Sequence, residues 1–240
     1  MPDASWDQLR ARALLLRQTR SFFDDRGFLE VETPLLSHDT VIDRHLDPIP
    51  VRIPEDVRQP DQGPTMWLQT SPEFAMKRLL AAGAEAIYQV TRAFRGAECG
   101  ALHNPEFTIV DWYRVGDDLR AGMNLLDELS QITLQRGMAE YLSYAEAFEQ
   151  QVALNPHDCP VEELKAASRR MQLTEPTDAE TMDRDAWLDL LLVECIEPHL
   201  GRSRPTILYD YPASQAALAN IRPGPPTVAE RFELYVDGIE

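Results

Sequence analysis

Strand-like segments gather toward the two ends of this chain, and helix-like segments fill the middle. That ordering limits the fold more than any other feature. A steady strand–helix alternation would require a parallel sheet, whereas grouped strands and grouped helices point to α+β with a largely antiparallel sheet flanked by helices. At the front, Trp6, Leu9, Ala13, Leu16 and Phe23 follow helical spacing, with Asp3 or Ser5 as cap and Gly27 as stop. Short extended stretches follow at 28–32 and 67–70, on either side of a Pro- and charge-rich excursion over 37–66 that holds one strand near 50–53.

Ser71-Pro72-Glu73 opens a helix that Gly83 stops: Ser71 caps, Pro72 suits the first turn and Glu73 suits the positive end. Two strands, 86–94 and 106–113, enclose a Gly-containing loop at 96–105. Helices are expected at 118–136, after the capping box Ser143-Tyr144-Ala145-Glu146, and at 160–171 and 183–196. The last strands are 206–211 and 228–236, separated by the obligate loop Pro223-Gly224-Pro225-Pro226. Residues 1–240 suit one large domain or two small ones, with a helical insertion at about 117–200.

Composition excludes several classes. Hydrophobic residues make up 44% of the 240 positions, enough for a core, so wholesale disorder is ruled out. A formal charge of −17 argues against non-specific nucleic-acid binding and against an anionic membrane surface. No apolar run approaches the roughly 20 residues of a membrane span. The acidic N-terminus lacks the basic region of a signal peptide. Cys99, Cys159 and Cys195 are odd in number, widely spaced and without a CxxC pair, which suits reduced thiols in the cytoplasm.

The densest chemistry lies between the two central strands, in Phe94-Arg95-Gly96-Ala97-Glu98-Cys99-Gly100-Ala101-Leu102-His103-Asn104-Pro105-Glu106-Phe107-Thr108. Arg, His and Asn on a flexible loop with an aromatic on the return strand suit a nucleotide, since Arg clamps phosphate and an aromatic face stacks a base. Composition alone also fits a solvated hairpin with Asn-Pro turn chemistry, and favours it. A second group is acidic: Glu73, Asp111, Glu233 and Glu240. Converging carboxylates bind an amine or Mg2+. Glu233 and Glu240 are seven apart, so a turn near Gly238 has to intervene before both reach one site. His38, His45, His157 and His199 are scattered and form no triad with Ser or Cys.

Together these segments resemble the catalytic domain of class II lysyl-tRNA synthetases, and most of all the free-standing branch of that family that modifies elongation factor P. The resemblance runs from about Ser5 to Glu240. Arg26-Gly27-Phe28-Leu29-Glu30-Val31-Glu32-Thr33-Pro34 looks like motif 1, the dimer-building element. The 94–108 segment looks like motif 2. Ser71-Pro72-Glu73 with Met76-Lys77-Arg78-Leu79 is similar to a lysine-type pocket, and Tyr211-Pro212-Ala213-Ser214-Gln215-Ala216-Ala217-Leu218-Ala219 is closer to the free-standing ligases.

The resemblance implies ATP-dependent activation of lysine or (R)-β-lysine as an adenylate, then transfer to a lysine side chain of elongation factor P. It gives Arg95 the catalytic clamp on the α-phosphate. ATP contacts fall to Arg95, Ala97, Glu98, His103, Asn104, Phe107, Glu233 and Leu234. Mg2+ falls to Glu233 and Glu240, and the substrate pocket to Ser71, Glu73, Asp111, Tyr113 and Glu240. A homodimer is implied by motif 1. Motif 1 begins so early that no anticodon-binding domain is expected ahead of it, and with it no tRNA partner.

Three departures from the family pattern stand out. Ala97 occupies the place where motif 2 usually has Glu, and Glu98, one residue later, is expected to take that role through a loop shift. Asp111 replaces a more usual Glu. Motif 3 is not found before Glu240, so a C-terminally incomplete domain is expected. The alternatives are a lysyl-tRNA synthetase-like adenylating core, or a non-catalytic dimerising or binding module.

Overall fold

The computed structural model describes residues 4–41, 46–100, 102–177 and 179–240. His45 and the candidate cap Asp3 fall outside them. The chain divides into two compact units, Met1–Gly116 and Asp117–Glu240.

The first unit begins with α1 (Trp6–Asp24), capped by Ser5 in a full capping box with Gln8. β1 (Leu29–Glu30), β2 (Leu36–Ser37), β3 (Pro50–Arg52) and β4 (Thr65–Leu68) follow, then α2 (Glu73–Ala81) and the long pair β5 (Ala86–Phe94) and β6 (Glu106–Arg114). β5 and β6 pair antiparallel along their full length, from Ala86–Arg114 to Phe94–Glu106. β1 adds to β5 in parallel. One face of this sheet receives α1: Phe23 stacks on Tyr88 at 4.7 Å, meets Phe28 edge-on and lies 5.4 Å from Trp112. The Tyr88 hydroxyl donates to Asp24 across this contact at 2.8 Å. β2 and β3 flank β4, both antiparallel.

The apolar stripe on the first half of α1 is not buried in this unit. Trp6 is 76% exposed, and Leu9, Leu14 and Leu15 are also exposed. The helix enters the core only with Thr19, Phe22 and Phe23, because its later turns alone lie over the aromatic sheet face.

The second unit comprises α3 (Leu119–Leu134), β7 (Glu140–Ser143), α4 (Tyr144–Val152), α5 (Val161–Arg170), α6 (Arg184–Leu191), β8 (Thr206–Pro212), β9 (Ile221–Arg222) and β10 (Val228–Tyr235). The expected helix over 183–196 is real but changes hand-hold at Leu192, where five residues continue as a π-helix, Leu192–Ile196. Its sheet runs β7-β8-β10-β9, antiparallel except for β7–β8. Tyr144, Phe148, Leu164, Leu188, Leu191, Ile196 and Leu208 form the centre of its core. The capping box at Ser143–Glu146 forms as expected.

One irregularity shapes this sheet. Ala229 pairs with Tyr211 and Phe232 with Tyr209, so Glu230 and Arg231 together face the single residue Asp210. Such a bulge bends its strand and re-aims the side chains beside it. Asp210 accommodates it with a left-handed φ of 59°.

Candidate functional site

The β5–β6 hairpin of the first unit carries most of the expected site. Side chains on a strand alternate faces, and residues directly opposite in a ladder share one. Tyr88 and Trp112, a directly opposed pair, point to the α1 side, so the pairs Ile87–Tyr113, Gln89–Asp111 and Ala93–Phe107 all leave the other face. On that face the Ser71 hydroxyl donates to Asp111 Oδ2 at 3.0 Å and accepts the Glu73 N–H at 3.1 Å. The helix therefore starts at Glu73, one residue later than the sequence suggests, and Ser71 serves it from two positions back. Glu73 is paired with Lys77 one turn on, at 2.5 Å.

Burial pushes the Asp111 carboxyl above its ordinary range, the charge of Glu73 adds to this, and the Ser71 hydroxyl and the Arg95 charge work against it. Burial also raises the Tyr113 phenol, helped by Asp111 and Glu73. Ser71, Glu73, Asp111 and Tyr113 thus share one electrostatic neighbourhood, in which Lys77 already pairs with Glu73. Asp111, held above its ordinary range, is the carboxyl group there that an ammonium would favour in its charged form.

Arg95 lies just past the end of β5. Its guanidinium carbon is 5.0 Å from the centre of the Phe107 ring, and its Nε is buried with no hydrogen-bond partner among the described residues. Ala97 adopts a left-handed φ of 59°. The chain turns back there, and Glu98 Oε1 comes to 3.8 Å from Arg95 Nη1. Gly96 allows this path: its N–H donates to Asp47 O at 2.6 Å, and an added Cβ would press on the same oxygen at 3.1 Å. His103 and Asn104 are exposed on the loop, and Gly100 N–H closes it onto His103 O.

The second unit carries Glu233, Leu234 and Glu240. Tyr211 and Tyr235 both donate to Glu233 Oε2, at 2.5 and 2.7 Å, and Arg231 pairs with Glu233 Oε1. Tyr235 also reaches Glu197 Oε1 at 3.2 Å. The Arg231 guanidinium lies over the Tyr211 ring at 4.6 Å. The turn demanded near Gly238 is present. Asp237 and Gly238 both have positive φ, and Val236 and Ile239 exchange hydrogen bonds across them. Burial works against the Arg231 charge, but Glu233, Tyr211 and Glu240 outweigh it and raise its affinity for its proton. Glu233 and Glu240 are thus both within electrostatic reach of one cation, Arg231.

Sequence reasoning missed Arg231 and Tyr235. The period-two spacing 231/233/235 is a usable signal for one face of a strand, but the bulge that re-aims Arg231 leaves no local mark. Among the described residues there is no group of three or more His, Cys, Asp or Glu able to cage a metal. Two carboxylates, Glu233 and Glu240, suit a magnesium ion that takes most of its remaining ligands from water and phosphate. No helix among the described residues is long and apolar enough to cross a membrane.

Comparison with known proteins gives a consistent picture. A family model described as tRNA synthetases class II (D, K and N) matches residues 3–240. The chain is 48% identical over 240 residues to the elongation factor P–(R)-β-lysine ligase of Vibrio cholerae serotype O1, covering all of this chain and 73% of that protein. It is 46% identical to the ligase of the same name from Vibrio vulnificus and 45% identical to that of an Enterobacter species, each over 239 residues and 73% of the relative's length.

Proposed function

Since the chain belongs to the class II tRNA synthetases of the D, K and N type, we propose that it is an ATP-dependent ligase that activates (R)-β-lysine or lysine and transfers it to a lysine side chain of elongation factor P. The observation that carries this reading is the shared face of the β5–β6 hairpin. It sets a half-buried carboxylate, Asp111 with Ser71 and Glu73, on the sheet that leads into Arg95, whose Nε has no hydrogen-bond partner among the described residues. One set fits an ammonium, the other a phosphate.

In the first step a carboxylate oxygen of the amino acid attacks the α-phosphorus of ATP. A P–O bond forms to the acyl oxygen, the bond to the bridging oxygen breaks, and pyrophosphate leaves. Arg95 stabilises the charge that gathers on the α-phosphate oxygens, and Phe107 offers a stacking face for adenine. Glu98, turned back by Ala97, holds the Arg95 guanidinium and takes the place of the usual motif 2 Glu. Asn104 and His103 serve the nucleotide from the loop, with the backbone at Ala97. Ser71, Glu73, Asp111 and Tyr113 orient the amino acid. In the second step the neutral ε-amine of the acceptor lysine attacks the acyl carbonyl, AMP departs, and an amide remains.

Glu233 and Glu240 would hold Mg2+, which neutralises phosphate charge when bound. No protein nucleophile is needed; positioning and electrostatics carry the rate. The exposed apolar stripe on α1 supports a homodimer. The absence of a membrane-crossing helix among the described residues is compatible with a cytoplasmic enzyme.

The test is pyrophosphate exchange into ATP with L-lysine and (R)-β-lysine in parallel, followed by acylation of elongation factor P. Exchange stimulated by the β-amino acid, with a mass increase on elongation factor P, is the expected result. Exchange confined to L-lysine with charging of tRNA would overturn it in favour of a lysyl-tRNA synthetase-like core, and a folded chain with neither would leave a binding module.

A further inference from the structure

Gln89 is 1% exposed, and neither the oxygen nor the nitrogen of its side-chain amide has a hydrogen-bond partner among the described residues. Buried amides are almost always paired, and an unpaired one calls for a ligand, a water or a reason. Its register says where it points. Gln89 stands directly opposite Asp111 in the β5–β6 ladder, so both leave the sheet on the face that also bears Tyr113. The other face is filled by Phe23 against Tyr88.

We propose that Gln89 is a substrate-contacting, specificity-determining residue, whose amide oxygen accepts an N–H from the ammonium group that Asp111 neutralises. The inference rests on the amino-acid-activating reading above and adds a residue to it. An ammonium carries three N–H groups. Asp111 supplies the charge but already spends Oδ2 on the Ser71 hydroxyl. A neutral acceptor beside it satisfies a second N–H without adding a further buried charge. The side chain at 111 also sets the depth. Asp is one methylene shorter than the Glu more usual in the family, so it draws the ammonium toward the sheet and toward Gln89. An amine at the wrong distance from the carboxylate end of the substrate would meet Asp111 but leave the Gln89 amide unpaired, which is how a buried polar group discriminates.

The experiment compares the parent chain with Gln89→Met and Gln89→Glu. Met keeps the length and removes the amide; Glu keeps an acceptor. Each is assayed by exchange with varied amino acid and varied ATP, by calorimetric titration with L-lysine and (R)-β-lysine, and by thermal melting. Gln89→Met is expected to raise the KM for the amino acid about tenfold to a hundredfold, the range of one hydrogen bond to a charged group. The KM for ATP stays unchanged, and the melting temperature does not fall, because an unpaired buried amide has been removed. Gln89→Glu keeps the acceptor at the cost of a further charge beside Asp111, so it is expected to retain amino-acid binding with a KM below that of Gln89→Met.

An unchanged amino-acid KM in Gln89→Met with equal or higher melting temperature would overturn the proposal and make the amide a buried orphan or a water's partner. Equal rises in both KM values would overturn it in favour of a general distortion. Should Gln89→Met fail to fold, loss of amino-acid binding by folded Gln89→Glu would overturn it alone. A parent chain that neither exchanges nor binds either amino acid removes the functional reading and this inference together.

Discussion

Asp111 and Glu233 are two carboxylates with opposite surroundings. Asp111 is pushed toward its neutral form by burial and by Glu73. An acid whose folded pKa is raised contributes its stability below the unfolded value of 3.8 and loses it as pH rises through the folded value. The charged form is therefore disfavoured in the empty site, and on the proposed reading a bound ammonium offsets that cost. Asp111→Asn is expected to gain stability over the parent as pH rises above the ordinary carboxylate range, seen as a widening difference in melting temperature. The same substitution should weaken amino-acid binding at pH 7 and abolish its increase with pH; a parent whose affinity is flat from acid to neutral pH would contradict this. Glu233, by contrast, is surrounded by donors. Tyr211 and Tyr235 share its Oε2 and leave Oε1 to Arg231. Each phenol donates to a charged acceptor, an interaction of about 1.5–3 kcal/mol. Tyr235→Phe is expected to cost roughly that in stability and, by freeing the carboxylate to rotate, to raise the Mg2+ concentration needed for half-maximal exchange while the amino-acid KM stays put.

Elements differ in how openly the sequence declares them. The hairpin of β5 and β6 was legible to within a residue because each strand is nine residues long and its loop holds Gly, Asn and Pro. The capping boxes at Ser5 and Ser143 were legible because their logic is local. β1 falls inside the extended stretch expected at 28–32, though only two of its residues pair; β2 and β9 are two residues each and β7 is four, and these exist because a partner strand is already in place, which no local pattern announces. Ser71, Asp111 and Tyr113 could be named from motif resemblance, but the unpaired amide of Gln89 is a property of packing. The loop after β5 lies between these cases. Glu98 reaches Arg95 only because Ala97 takes a left-handed backbone, a conformation that costs a residue with a Cβ about 1–2 kcal/mol. Ala97→Gly should keep the path and hold or slightly raise stability. Ala97→Val, with a branched side chain that resists this φ, should move Glu98 off Arg95, raising the KM for ATP by about tenfold without changing that for the amino acid. Equal ATP kinetics in both variants would show that Glu98 does not act through Arg95.

At the scale of the whole molecule, charge and exposed apolar surface oppose each other. The chain carries a formal charge of −17, so two copies repel at long range. Yet α1 leaves Trp6, Leu9, Leu14 and Leu15 in water, and burying such a stripe against a second copy would remove apolar area from solvent at about 25 cal/mol per Å2. Arg10, Arg12, Arg17 and Arg20 lie on the same helix and soften the repulsion locally. The balance predicts a direction. Salt screens the long-range repulsion, with a Debye length that shrinks from roughly 10 Å at 0.1 M to roughly 3 Å at 1 M, while apolar burial is left intact. A dimer built on α1 should therefore tighten as salt is added, whereas one held by ion pairs should loosen. Sedimentation velocity at low and high salt reads this directly. Trp6→Glu with Leu9→Glu should shift the protein to monomer at every salt concentration and leave α2, β5 and β6 folded, since neither side chain enters the core of that unit. A dimer that dissociates with salt would place the association elsewhere than on α1, and a parent that is monomeric at all concentrations would overturn the dimer itself.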